Sequence, residues 1–309
     1  MKLSAVLVGT ALILILGGCA PLAPISYPPA SAPHYLALPY IPQDDFQCGP
    51  AAVAMVMTFS GDAVPLATFT SEIYSPSLRG SLQPALVAAG RRHGWLAWEI
   101  SDFAAILQEV AANRPVIILQ NRGLSWKPLW HYAVVVGFDA ANGLTYLTSG
   151  REEQRPVATR TVLRTWERGG NWGLLLLPPG LLPIEADPDR LLAALAGLER
   201  SDAASARPGY QAAVARWPAH AGLSTAYGNL LRQAGEVGAA EVAYRAALTA
   251  DPDHVPALNN LADLLLELGR LDEAHVAAVA AAAVEGPYRS TAAATLREIE
   301  RAQGHPDHP

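Results

Sequence analysis

Four pairs of residues toward the end of this chain stand 34 positions apart: Ala206 and Ala240, Tyr210 and Tyr244, Ala213 and Ala247, and Pro218 and Pro252. A fixed period of this length marks a stack of like supersecondary units, none of which can bury its apolar face alone. The register continues through Leu261, Leu265, Gly269, Ala274 and Ala281, with Gly235 at a turn between helices. The spacing predicts two-helix units at 187–220, 221–254 and 255–288, then a capping helix and tail over 289–309 whose Arg297, Glu298, Glu300 and Arg301 face solvent. The first unit is the loosest, because Arg207-Pro208-Gly209 falls inside its second helix, where proline removes a hydrogen bond.

Gly228, Ala240, Tyr244, Ala247 and Pro252 resemble the tetratricopeptide repeat pattern. The resemblance implies an all-α array that binds a protein partner on its concave face. That inference is at the level of the fold alone, and bracing a neighbouring domain is the plainer use of alanine-rich helices. The array begins after Pro178-Pro179-Gly180, where the composition turns to alanine and leucine.

Ahead of that boundary the informative feature is Cys48, in Gln43-Asp44-Asp45-Phe46-Gln47-Cys48-Gly49-Pro50, followed by an apolar run over 51–59. Pro50 has a fixed φ and no N–H, which suits the first turn of a helix, so a helix should open at or just after Cys48. Unpaired N–H groups and the helix dipole favour a thiolate there, predicting a pKa below the free value of about 8.5. Taken alone, a cysteine on an apolar helix is ordinarily a packing residue. A second feature changes that weighting. His131 opens a β-branched run over 130–139 that reads as a buried strand, and Asn142-Gly143 then turns the chain into a second strand over 144–149. His131 sits at the open end of this hairpin. A helix capped by Ser101-Asp102 and ended by Pro115, with strands at 116–119 and 172–177, completes the domain, and 123–130 reads as a loop beside the cleft carrying Trp126 and Trp130.

Cys-Gly-Pro-Ala-Ala after Pro-Gln, with the later His-Tyr-Ala-Val-Val-Val-Gly-Phe-Asp, resembles the papain-like cysteine peptidases related to the bacteriocin leader peptidases that cut after double glycine. The resemblance covers roughly 36–178. It implies an α+β papain-like fold over 36–180, with Cys48 as nucleophile, His131 as base and then acid, and Gln43 as an oxyanion-hole donor. The implied chemistry is acyl transfer through the Cys48 thiolate, needing no cofactor. One position departs from the family pattern: Ser149 stands where an acidic or amide residue is usual. A hydroxyl can fix the imidazole tautomer but cannot stabilise imidazolium by charge. Ser149 itself, Glu152 or Glu153 beyond it, or a bare Cys-His dyad are the readings open at this point.

The first residues bear on location. Lys2 precedes an apolar stretch over 3–16, too short for a spanning helix of about 20 residues. Leu16-Gly17-Gly18-Cys19 resembles the bacterial lipoprotein signal, which implies a signal peptide over 1–18 and lipid (palmitate among it) on Cys19. Ala20 after that cysteine implies the outer membrane, facing the periplasm; an ordinary signal with an incidental cysteine is the plainer alternative. The Pro-rich stretch over 19–35 suits an extended tether. The chain has two cysteines, so no disulfide remains for the mature fold once Cys19 carries lipid.

Net charge of −6 without a Lys/Arg cluster argues against nucleic acid, and no metal-ligand or nucleotide-loop motif occurs. The expectation is a lipid-anchored cell-envelope cysteine peptidase acting on an exported peptide or protein. The alternative is a weak or inactive peptidase fold serving as a protein-binding scaffold.

Overall fold

The computed structural model describes residues 25–29, 32–42, 44–149 and 152–304. Cys19, Gln43 and the signal segment lie outside the described residues. In chain order the first part contains β1 (His34–Tyr35), α1 (Cys48–Phe59), α2 (Leu66–Ile73), α3 (Gln83–Arg92), β2 (Leu96–Ile100), α4 (Phe103–Ala111), β3 (Val116–Asn121), β4 (Trp130–Asp139), β5 (Leu144–Ser149), β6 (Glu152–Ala158), α5 (Thr159–Glu167) and β7 (Gly173–Leu177). The second part is helical throughout: α6 (Pro188–Glu199), α7 (Ala203–Arg216), α8 (Ala221–Gln233), α9 (Val237–Ala250), α10 (Val255–Glu267), α11 (Leu271–Ala283) and α12 (Arg289–Ala302). The architecture is an α+β domain followed by an all-α array.

The strands form one antiparallel sheet in the order β2-β7-β3-β4-β5-β6, with β1 on β4. Side chains alternate between its two faces. Ile117, Leu119, Tyr132, Val134 and Val136 pack beneath α1, α2 and α3 in one core, whereas Val116, Ile118, Ala133 and Val135 join α4, α5 and α6 in another. β3 and the middle of β4 are buried on both faces, which is why they read as continuous apolar runs. α4 starts where Asp102 caps it, accepting from the N–H groups of Ala104 and Ala105.

The second core does not stop at the sheet. Leu191, Leu195 and Leu198 of α6, Tyr210 of α7 and Leu223 of α8 belong to the same cluster as Trp98, Phe103 and Leu175. The connecting segment is fixed by polar contacts. Buried Glu109 accepts from Ile184 N–H at 2.6 Å and from Arg114 Nη1 at 3.1 Å, and Arg114 also donates to the Leu182 carbonyl at 2.9 Å. On the sheet's edge Arg190 lies 4.6 Å over the Trp98 ring and donates to the Glu99 carbonyl. α7 continues through Pro208, so the proline expected to loosen the first unit sits within an unbroken helix.

Candidate active site

Cys48 is the first residue of α1, and the Ala51 N–H bonds back to the Gln47 carbonyl at 3.1 Å as the helix begins. The helix start packs closely on the loop ahead of α3: a Cβ on Gly49 would meet Ser81 Oγ at 2.8 Å. The Cys48 thiol is not lowered as the helix dipole alone predicts. Burial pushes it above its ordinary value, against the opposing pull of the main-chain N–H groups of Tyr132, Gly49 and Cys48 and of the Arg122 guanidinium. The correction has a simple cause, since desolvation of the anion outweighs the dipoles that would stabilise it. The Tyr132 N–H at the sulfur also locates it, because Tyr132 directly follows His131 at the start of β4.

His131 pairs across the sheet with Gln120, which donates to Thr165 Oγ1 of α5 at 2.6 Å. Its imidazole is pulled down to about 4, first by burial and then by Arg122. Its Nε2 is buried with no hydrogen-bond partner among the described residues. At neutral pH burial thus favours a thiol at Cys48 and a neutral imidazole at His131.

Ser149 ends β5 and is buried, but its hydroxyl accepts from Arg122 Nη2 at 3.3 Å. Arg122, which follows β3, carries a residue role that sequence reasoning missed. Its N–H donates to the Leu129 carbonyl at 2.9 Å, and Ser149 comes one residue after Thr148, the partner of Val134. Since β4 lies between β3 and β5, the Arg122 side chain crosses the end of β4 where His131 stands. A cation therefore contacts the residue that stands where the pattern calls for a carboxylate. Glu152 does not fill that place: it is exposed and accepts from Arg155 Nη1 at 2.7 Å. Glu153 is exposed on the same edge strand, β6. The only sequence signal for Arg122 was its position at the end of the strand preceding the histidine strand.

Cys48 opens into a cavity of 440 Å³ lined by Phe46, Leu82, Leu119, Trp130 and Tyr132 among others. Trp130 lines it directly, while Trp126 projects into solvent at 78% exposure. Tyr132 donates its hydroxyl to the Ser81 carbonyl at 3.1 Å, and Ser81 Oγ is buried without a partner among the described residues. The pocket can take an apolar side chain next to the nucleophile. Among the described residues no group of three His, Cys, Asp or Glu side chains is arranged to hold a metal, and no helix is long and apolar enough to cross a membrane.

Residues 35–173 match the model described as the peptidase C39 like family. Residues 191–255 and 231–296 match two tetratricopeptide repeat models. Among solved structures, the peptidase domain of Streptococcus ComA, a bi-functional ABC transporter involved in a quorum sensing pathway, is 21% identical, with 44% of this chain and 96% of that one covered and a TM-score of 0.38. A double glycine motif protease from an AMS/PCAT transporter, in complex with the leader peptide, is 20% identical over 48% of this chain and 98% of that one, with a TM-score of 0.37. The Yersinia enterocolitica type III secretion translocator chaperone SycD is 18% identical over 39% of this chain and 90% of that one, with a TM-score of 0.35. No curated protein matches the chain.

Proposed function

We propose that this chain, whose residues 35–173 form a domain of the peptidase C39 like family and whose later helices are tetratricopeptide repeats, is a lipid-anchored cysteine peptidase of the cell envelope. The observation that carries the reading is Cys48 at the head of α1, with main-chain N–H groups at its sulfur and the histidine-bearing end of β4 beside it. In this mechanism the Cys48 sulfur attacks a peptide carbonyl as His131 takes the thiol proton. The Cys48 N–H and the Gln43 amide stabilise the oxyanion, and His131 returns the proton to the leaving amine. Water then hydrolyses the thioester.

The repeats hold substrate or a protein partner. Two apolar grooves, of 450 and 390 Å³, support this role, because their walls repeat at the sequence period: Tyr227, Leu231 and Val242 in one, Leu261, Leu265 and Val276 in the other. The signal over 1–18 and lipid on Cys19 would place the enzyme on the periplasmic side of an outer membrane. A Cys19→Ser change is expected to move the protein from the membrane to the soluble fraction, and mass analysis should find acyl chains on Cys19 of the native protein.

To test the catalytic reading, the full chain is treated with a thiol-directed covalent probe and labelling is followed at Cys48. The expected result is labelling that slows sharply in His131→Ala. Labelling no faster than that of a buried cysteine, and unchanged in His131→Ala, would overturn it. Ser149 in the carboxylate's place, with the Arg122 cation on its hydroxyl, favours a second reading, that of a scaffold with little or no turnover. It prevails if Cys48→Ala leaves the cellular phenotype intact while deletion of 221–288 abolishes it.

A further inference from the structure

Arginines in much of this molecule meet glutamates, as Arg92 does Glu72, Arg155 does Glu152 and Arg270 does Glu241. Around the Cys48 cleft they do not. Arg79 lines the cavity with its guanidinium carbon 5.8 Å from the Phe46 ring centroid. Arg168 donates to the Asn121 carbonyl at 3.1 Å, next to cavity-lining Gly169. Arg122 hydrogen-bonds the neutral Ser149 hydroxyl and pairs with no carboxylate among the described residues, with the Glu152 charge acting on it at longer range and Arg155 opposing it. None of the three is paired with a carboxylate among the described residues, although the chain carries net charge −6. The same end of the sheet holds His131, whose Nε2 lacks a partner among the described residues.

These two gaps have one chemical solution. A guanidinium without an anion and an imidazole Nε2 without a partner are both satisfied by a carboxylate when the Nε2 tautomer carries the proton. We propose that the cleft takes a carboxylate-bearing peptide, whose carboxylate seats on Arg122 beside His131 while a neighbouring apolar side chain enters the cavity under Trp130 and Tyr132. The bound carboxylate draws Arg122 off Ser149, accepts from His131 Nε2, and supplies the charge that Ser149 cannot. The substrate thus brings the group that completes the site. Arg122 acts here as a positioning and specificity residue, and Arg79 and Arg168 extend the same preference along the rim. The inference rests on the peptidase reading of Cys48 and His131, and names the class of substrate that reading requires.

The test compares alkylation of Cys48 in the full chain by iodoacetate and by iodoacetamide, read by mass spectrometry at the Cys48 peptide so that Cys19 does not interfere. In both reactions the sulfur–carbon bond forms as iodide leaves; the reagents differ in a carboxylate against a neutral amide. Iodoacetate is expected to gain about tenfold relative to iodoacetamide, measured against a free thiol as standard, as one charge-assisted contact would give. Arg122→Met should remove the gain and Arg122→Lys should retain part of it. A second arm measures binding of apolar peptides carrying Asp or Asn, each with a free or an amidated C-terminus. Tighter binding by Asp over Asn assigns the carboxylate to a side chain, and tighter binding by the free acid assigns it to the C-terminus. A reactive Cys48 with no iodoacetate preference, or a preference unchanged in Arg122→Met, overturns the inference while leaving the peptidase reading in place. A Cys48 inert to both reagents overturns that reading first.

Discussion

The repeat array pairs many of its charged groups, although Asn259 Oδ1 is buried there without a partner among the described residues, whereas the cleft end of the sheet leaves several polar groups open. In the array Arg270 bridges Glu241 and Glu273 at 2.7 Å each, and Arg245 meets the same two glutamates at 2.8 and 3.0 Å. Arg207 with Glu236, and Arg232 with Glu267, tie successive units together. Tyr210 and Tyr244 are fully buried, yet each hydroxyl has a partner, Glu199 and Asn229. At the cleft, by contrast, Ser81 Oγ and His131 Nε2 are buried without one among the described residues, and Arg79 and Arg122 form no ion pair there. A surface that leaves donors and acceptors open gives up stability, and sites for ligands are where such a loss is offset.

Breaking the joint between the two regions should have the largest effect. Glu109→Ala strips the Ile184 N–H and Arg114 of their buried acceptor and leaves a void, and is expected to cost about 3 kcal/mol in denaturant unfolding. Glu109→Gln keeps an acceptor for Ile184 and should cost much less. Equal losses in the two variants would show that the hydrogen bond is not what fixes the connecting segment.

The cleft should announce itself next, through pH. His131 is held to about 4 when folded, against an ordinary 6.5, so the unfolded chain binds the extra proton between these values. Stability should therefore be full above pH 6.5 and fall as the pH drops toward 4, by at most about 3 kcal/mol. His131→Gln should flatten that slope; an unchanged slope would mean the imidazole is not held neutral. In turnover, the same neutral base form should persist down to about pH 4, a more acidic limb than an ordinary histidine gives.

A smaller change probes the array. A Cβ on Gly228 would lie 2.6 Å from Tyr244 Cε1, in a ring that is fully buried. Gly228→Ala should thus destabilise by about 1–3 kcal/mol, although alanine is the better helix former. A stabilised variant would show that the Tyr244 ring can shift, and that the array is looser than its satisfied polar groups suggest. The smallest effects should come from matched helix caps. Asp102 caps α4 in the sheet domain and Asp187 caps α6 where the array begins, and alanine at either is expected to cost about 1 kcal/mol. Unequal losses would locate the region whose helices depend more on local bonds.

Much of this was legible in the chain itself. The 34-residue period, the apolar run after Cys48 and the β-branched run after His131 are local patterns, and local patterns fix helices and strands through side-chain direction and burial. Pro208 lies inside α7 as the spacing implies, and Ala206, Tyr210 and Ala213 of that helix pack in the shared core. β6 carries exposed polar residues on a sheet edge, so no apolar alternation marked it as a strand.

What the sequence determined by itself was the order of the two folds and the identity of the cysteine and histidine, since each is written in contiguous residues. Tertiary structure alone decided their chemistry. The helix dipole that favours a thiolate is a property of α1, but the burial that overrides it comes from β4 and the cavity wall. Arg122 reaches His131 and Ser149 only because β3 and β5 flank β4. Electrostatic free energy depends on distance and desolvation in space, and neither can be read from spacing along the chain.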